Sequence, residues 1–249
     1  MAVQERAGTP QGVMSLARVL AFSSAYIPIS ALVLAITVHL PRYFASHLGL
    51  SLAMVGGAFA LVRLVDIPID AALGVAMDRT RTRFGRYRPY LVLGVPMLMF
   101  ALYKLLNSPS DVGQAYLVGW LLLMYLGYSC IYLAHLAWAG RIAASYEQRS
   151  RIFGAITGLG VVGSVGVLLI PIILTQQFHV SEAASVQAMI WFIIGGVPLT
   201  VAIVVLTTKE TIAADHSKGF SLRDYLFLLS RGNVIRILLA DFLVTLGPG

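Results

Sequence analysis

The sequence predicts an all-α membrane protein: one bundle of six helices, each crossing a bilayer, followed by the start of a truncated seventh. Three observations carry that prediction. The 249 residues are 58% hydrophobic and only 12% charged, with a mean hydropathy of +0.83, whereas soluble domains carry about 25% charge. Apolar runs of about 20 residues recur along the chain, each long enough to cross a hydrocarbon core of about 30 Å. Of the 18 Lys and Arg residues, all but Arg42, Lys104 and the intramembrane Arg63 fall on one side of the spans. That asymmetry follows the positive-inside rule and places the N-terminus and the 2–3, 4–5 and 6–7 loops in the cytoplasm of a multi-pass plasma (inner) membrane protein.

The same distribution explains the net charge of +7 as topology, with no nucleic-acid partner. Cys130 is the single cysteine, so no intrachain disulfide can form. The first apolar span is too long for a signal-peptide core and has no small-residue cleavage site behind it. P-loop, HExxH and Cys/His metal spacings are missing, which argues against an enzyme and leaves no catalytic residue or resident cofactor to assign.

In chain order, the first span runs over 19–40 and the second over 52–77. The second carries Arg63, Asp66 and Asp70 at helical spacings of three and four, so all three project from one face. Gly56, Ala60 and Gly74 extend that stripe. One charge at the bilayer centre costs roughly 2.5–3.5 kcal/mol, so three cost on the order of 8–10 before pairing. Such a cluster persists where it faces a bundle interior or a watery cavity. Arg63 can neutralise one carboxylate, and the other needs a proton or a small cation, sodium included, at Asp66 and Asp70. Pro68 between the aspartates frees a backbone carbonyl that could also ligate a cation. The competing reading is a fixed Arg–Asp network that only packs helices.

After the second span comes DRTRTRFGRYRP, residues 78–89. As an anchor to anionic lipid it is worth about 1 kcal/mol per basic residue. It also reads as a gate, with Asp78 pairing to an arginine on a neighbouring helix end; Arg79, Arg86 and Arg149 are the arginines assigned to it. The third span covers 90–107 and the fourth 114–139. Along the fourth, Tyr125, Tyr128, Tyr132 and His135 recur at intervals of three, four and three. Aromatic faces stack on sugar rings, and phenol or imidazole groups bond sugar hydroxyls; interhelical packing is the bland alternative. Trp138, near the boundary, reads as an interfacial anchor. The fifth span, 153–175, is crowded with Gly154, Gly158, Gly160, Gly163 and Gly166, which reads as close helix packing. The sixth covers 185–207. These divide the chain into a bundle over 1–208, a polar connector over 209–233 and the start of a second bundle over 234–249. Within the connector, Leu222, Tyr225, Leu226 and Leu229 give SLRDYLFLLS one apolar side, as in a short amphipathic helix.

RLVDIPID followed by DRTRTRFGRYRPY resembles the second helix and following loop of the glycoside–pentoside–hexuronide:cation symporters, the melibiose-permease-like branch of the major facilitator superfamily. HLAWAGRIAASYEQRSRIFGA resembles the end of their fourth helix and the next loop, and LLADFLVTLGPG is similar to the start of their seventh. The resemblance implies a major-facilitator-type N-terminal six-helix bundle, a missing C-terminal bundle as its partner, and alternating access between the two. It makes Asp66 and Asp70 cation-site aspartates and Arg63 the neighbouring arginine. Ser129 corresponds to the family's cation-site threonine. Ser30 and Tyr132 stand where melibiose permease has sugar-binding aspartates, and Ile69 where it has an asparagine. Loss of an oxygen ligand at Ile69 favours a proton over sodium. Arg141 stands where relatives usually carry an acid.

The expectation is therefore a secondary transporter coupling a sugar or glycoside-like solute to a proton or sodium ion. Asp66, Asp70 and Ser129 hold the cation, and Arg63, Tyr128, Tyr132, His135 and Ser30 the solute. The rivals are a carrier of a lipid or other non-sugar amphiphile, and a non-transporting half-carrier scaffold.

Overall fold

The computed structural model of the chain describes residues 14–109, 112–143, 145–210, 231–232, 234–236 and 239–240. Eight helices are assigned among them: α1 (Leu16–Ser23), α2 (Tyr26–Val38), α3 (Leu40–Leu48), α4 (Leu52–Arg79), α5 (Arg88–Leu106), α6 (Gln114–Ile142), α7 (Tyr146–Phe178) and α8 (Glu182–Thr207). Taking α1 and α2 as one span, six segments are long and apolar enough to cross a membrane. All six predicted spans are there, each within a few residues except at the start of α7.

The first span is broken where the sequence reads it as continuous. Pro28 has no N–H for the carbonyl of Ser24 four residues back, and its ring crowds that carbonyl. The Ser24 oxygen instead accepts the N–H of Ile27 at 3.1 Å, a tighter turn that separates α1 from α2. Between the first and second spans lies α3, which hydropathy alone does not mark because Arg42 and Ser46 interrupt the apolar run. Its punctuation is nonetheless in the sequence: Pro41 in the first turn and Gly49 in the left-handed conformation (φ 65°) at its end. Leu40, Tyr43 and Phe44 are its buried face. The α7 helix begins at Tyr146, seven residues ahead of the apolar run at 153, because Ser145 caps it by accepting the N–H of Gln148.

In packing, α6 lies against α5 and α4, while α2 lies against α7 and α8. The two groups are joined by α8 on α5 and, more lightly, by α7 on α6. The tightest seams are glycine seams. A Cβ on Gly127 would sit 2.7 Å from the backbone N of Leu98, and one on Gly94 2.7 Å from the carbonyl O of Gly127, so α5 and α6 touch backbone to backbone. The glycine expectation for the fifth span holds in part. Gly160 abuts Tyr26 and Ser30, and Gly163 abuts the backbone of Ile27, but Gly154, Gly158 and Gly166 have open space beside them. α4 and α7 bury the least of their length; Leu61, Leu64 and Ile67 of α4 and Val161, Val162 and Val165 of α7 are exposed.

Trp138 corrects the sequence reading. It is 1% exposed, edge-on to Phe22 of α1 and beneath the Arg88 guanidinium of α5, so it is a core residue and no interfacial anchor. Its place near a span end suggested the bilayer surface; the aromatic ring supplied by α1 puts it inside.

The chain divides into two compact units, 1–212 and 213–249. In the second, Gly232, 234–236 and 239–240 are helical, with the N–H of Val234 and of Ile235 both donating to the carbonyl of Arg231. The segment SLRDYLFLLS lies outside the described residues, as do most of residues 234–249.

Candidate functional site

Asp66 is buried, 4% exposed, at the seam of α4 and α6. Its Oδ2 accepts from Arg63 Nη1 at 3.3 Å and its Oδ1 from Ser129 Oγ of α6 at 3.4 Å. Both oxygens thus have a partner, one charged and one neutral. Arg63 keeps 64% of its side chain exposed, and its guanidinium lies 5.3 Å from the Tyr125 ring centroid. One helical turn beyond Asp66, Asp70 has a buried Oδ1 without a hydrogen-bond partner. The set therefore holds one cation and two carboxylates, with the second carboxylate uncompensated. A buried carboxylate oxygen without a donor is costly unless a proton or an ion occupies it. Among the described residues no group of three or more His, Cys, Asp and Glu gathers, so a multi-carboxylate cage for a divalent metal is not built here.

A tyrosine wall continues along α6. Tyr128 and Tyr132, one turn apart, stack at 5.3 Å between centroids with 14° between planes. Tyr26 of α2 faces Tyr132 at 6.2 Å. His135 lies 6.3 Å from the Tyr26 ring and is fully buried. The imidazole stacks on Phe22 at 4.5 Å, and its Nε2–H donates to the Phe22 carbonyl at 2.9 Å, just where the first span breaks. His135 therefore props the bend that presents Tyr26. Ser30, one turn along α2 from Tyr26, sits at the seam with Gly160 of α7. Ser129 lies between Tyr125 and Tyr132 on α6, so the charged cluster and the aromatic wall share about 15 Å of one helix.

Of the residues the sequence suggests for a gate, Asp78 and Arg86 come together, Oδ1 to Nη1, at 3.7 Å. Arg79 closes α4, where a cation suits the helix dipole. Arg149 Nη2 donates to the Gly140 carbonyl at 3.4 Å, linking the start of α7 to the end of α6. The sequence reading passed over Tyr26, whose only signal is an aromatic hydroxyl two residues before a proline. It also assigned no role to Arg88 and Glu210.

A family model described as MFS/sugar transport protein matches the chain over residues 21–249. The chain belongs to this MFS/sugar transport family. Among its relatives, "Putative glycoside/cation symporter YagG" of Escherichia coli (strain K12) is 28% identical over 213 residues, 82% of this chain and 45% of that protein. "Isoprimeverose transporter" of Lactiplantibacillus pentosus is 23% identical over 193 residues, 74% of this chain and 40% of that one. "Lactose permease" of Lactobacillus helveticus is 25% identical over 166 residues, 61% of this chain and 25% of that one. The chain thus spans less than half the length of these relatives. All three are named as transporters, none as an enzyme.

Proposed function

We propose that this MFS/sugar transport family chain forms the first half of a secondary transporter moving a sugar or glycoside-like solute together with a proton or sodium ion by alternating access. The observation that carries the reading is the buried, partnerless Asp70 oxygen beside the Arg63–Asp66–Ser129 set, on a membrane helix. A monovalent cation at Asp70 would satisfy that oxygen and cancel the leftover charge together. Ile69 contributes no oxygen, which favours a proton.

On this reading Tyr128, Tyr132 and Tyr26 offer flat aromatic faces with hydroxyls at their edges, the chemistry that grips a sugar. Arg63 is exposed enough to bond a solute hydroxyl, with Ser30 and His135 setting the α2 side of the site. Cation binding at Asp66 and Asp70 favours the outward-open state, so that solute binds there and both leave inside; coupling needs that difference in affinity. The arginine-rich end is cytoplasmic by the positive-inside rule, and Asp78 with Arg86 belongs to the gate there. Residues 209–233 lead into a second bundle from 234.

The test uses the complete protein in proteoliposomes: transient currents on addition of glycosides and monosaccharides, at several pH values, with and without sodium. A sugar-evoked current that depends on pH or sodium is expected. Silence across the panel from folded protein overturns the reading. In the same assay Tyr132→Ala should raise the half-saturating solute concentration about tenfold, the equivalent of about 1.4 kcal/mol of lost stacking, without altering cation dependence.

A further inference from the structure

At the arginine-rich end, the start of α5 and the end of α8 cap one another. Glu210, three residues past α8, accepts the backbone N–H of Arg86 at 2.6 Å, of Tyr87 at 3.1 Å and of Arg88 at 3.4 Å. In return Arg88 Nη2 donates to the carbonyls of Val205, at 3.0 Å, and Thr208. Apart from the Arg86 N–H, which precedes the N-cap Tyr87, these are donors and acceptors that a helix leaves without internal partners at its first and last turns. The signs suit both dipoles, an anion at an N-terminus and a cation at a C-terminus. Gly85 makes room: its φ is +112°, and a Cβ there would overlap the Glu210 carboxylate.

Arg86 is therefore held from two sides. Its backbone N–H is in the Glu210 grip, and its side chain reaches Asp78 in the last turn of α4 at 3.7 Å. The two ties differ in kind. Asp78 is 61% exposed and makes one long pair, while the Glu210 carboxylate bonds three successive amides. The exposed pair is the one that breaks first.

We propose that Glu210 and Arg88 form a permanent clasp that fixes Arg86 in space, making Glu210 a positioning residue for the Asp78–Arg86 gate. When the gate opens, α4 moves away and Arg86 stays on the α5–α8 platform. α4 also carries Asp66 and Asp70, so its far end is the natural reporter of cation occupancy. This rests on Asp78–Arg86 being the gate.

The experiment uses the complete protein in membranes with one cysteine, placed at Gly74 one turn ahead of Asp78, and follows its reaction with a membrane-impermeant maleimide added from the cytoplasmic side. Asp78→Asn should speed labelling roughly two- to fivefold, the range an exposed ion pair supports. Glu210→Ala should do the same, and the double variant should label no faster than either single one. Hydrogen exchange should show the amides of residues 86–88 losing protection in Glu210→Ala while α6 keeps its own. If Glu210→Ala does not fold, Glu210→Gln, which retains an acceptor oxygen, takes its place with a smaller effect of the same sign. A Glu210 variant that leaves labelling unchanged while Asp78→Asn speeds it overturns the clasp and spares the gate. Effects that multiply in the double variant also overturn the clasp. No effect of Asp78→Asn means that the gate reading fails, and the clasp's role with it.

Discussion

Asp70→Asn should abolish cation-driven solute accumulation while the bundle stays folded. In the native set Arg63 carries one positive charge against the two carboxylates of Asp66 and Asp70, and only Asp66 is paired. Replacing the Asp70 carboxylate with a neutral amide removes the leftover charge and with it the reason to bind a proton or a sodium ion. Because the Asp70 oxygen has no donor to lose, the substitution breaks no internal hydrogen bond at that atom. Stability should therefore hold or improve slightly. Asp66→Asn differs. It also neutralises one carboxylate, but it dissolves the pair with Arg63 and weakens the bond from Ser129. Since Arg63 is mostly exposed, the stability cost should be about 1 kcal/mol, well below that of breaking a fully buried pair. The measurement is the accumulation ratio of the solute under an imposed cation gradient, with solute exchange at equal concentrations as the control. Accumulation should fall at least tenfold in both variants, which is about 1.4 kcal/mol of lost coupling. Exchange should persist in Asp70→Asn, because the tyrosines proposed to hold the solute are untouched. Accumulation that survives both substitutions would remove this cluster from the coupling mechanism.

What the sequence made legible was local. Six spans follow from apolar run length, and the common face of Arg63, Asp66 and Asp70 follows from spacings of three and four. The pairing of Tyr128 with Tyr132 is likewise an i, i+4 relation, which any helix imposes. What stayed hidden depends on chain segments far apart. Trp138 is buried because Phe22 and Arg88, from two other helices, close over it. The role of Ser129 came from family resemblance, since nothing within α6 points to a carboxylate on α4. Glu210 reads as the first acid of a polar connector, yet it grips amides more than 120 residues earlier. The bend at Ser24 is an intermediate case. Pro28 announces it, but the acceptor it leaves for His135 could not be inferred without the fold.

Glycine substitutions on α7 should separate its seam with α2 from its open face. Gly163→Leu is expected to be the most damaging single change in the bundle, because the added Cβ falls on the backbone carbonyl of Ile27, and backbone cannot rotate aside. Overpacking a seam typically costs 1–3 kcal/mol and more where backbone is struck, so a loss above about 3 kcal/mol is expected. It should appear as a large fall in folded yield and a lower melting temperature in detergent. Since α2 carries Tyr26 against this same helix, any folded fraction should also bind solute poorly. Gly158→Leu lies on the same helix, five residues earlier and some 140° around it. It has open space beside it and should leave the stability of the 1–212 unit unchanged. Equal damage to the isolated bundle from both substitutions would mean that α7 is packed on both faces within one half. The two glycines look alike in sequence; only the position of α2 distinguishes a seam from an open face.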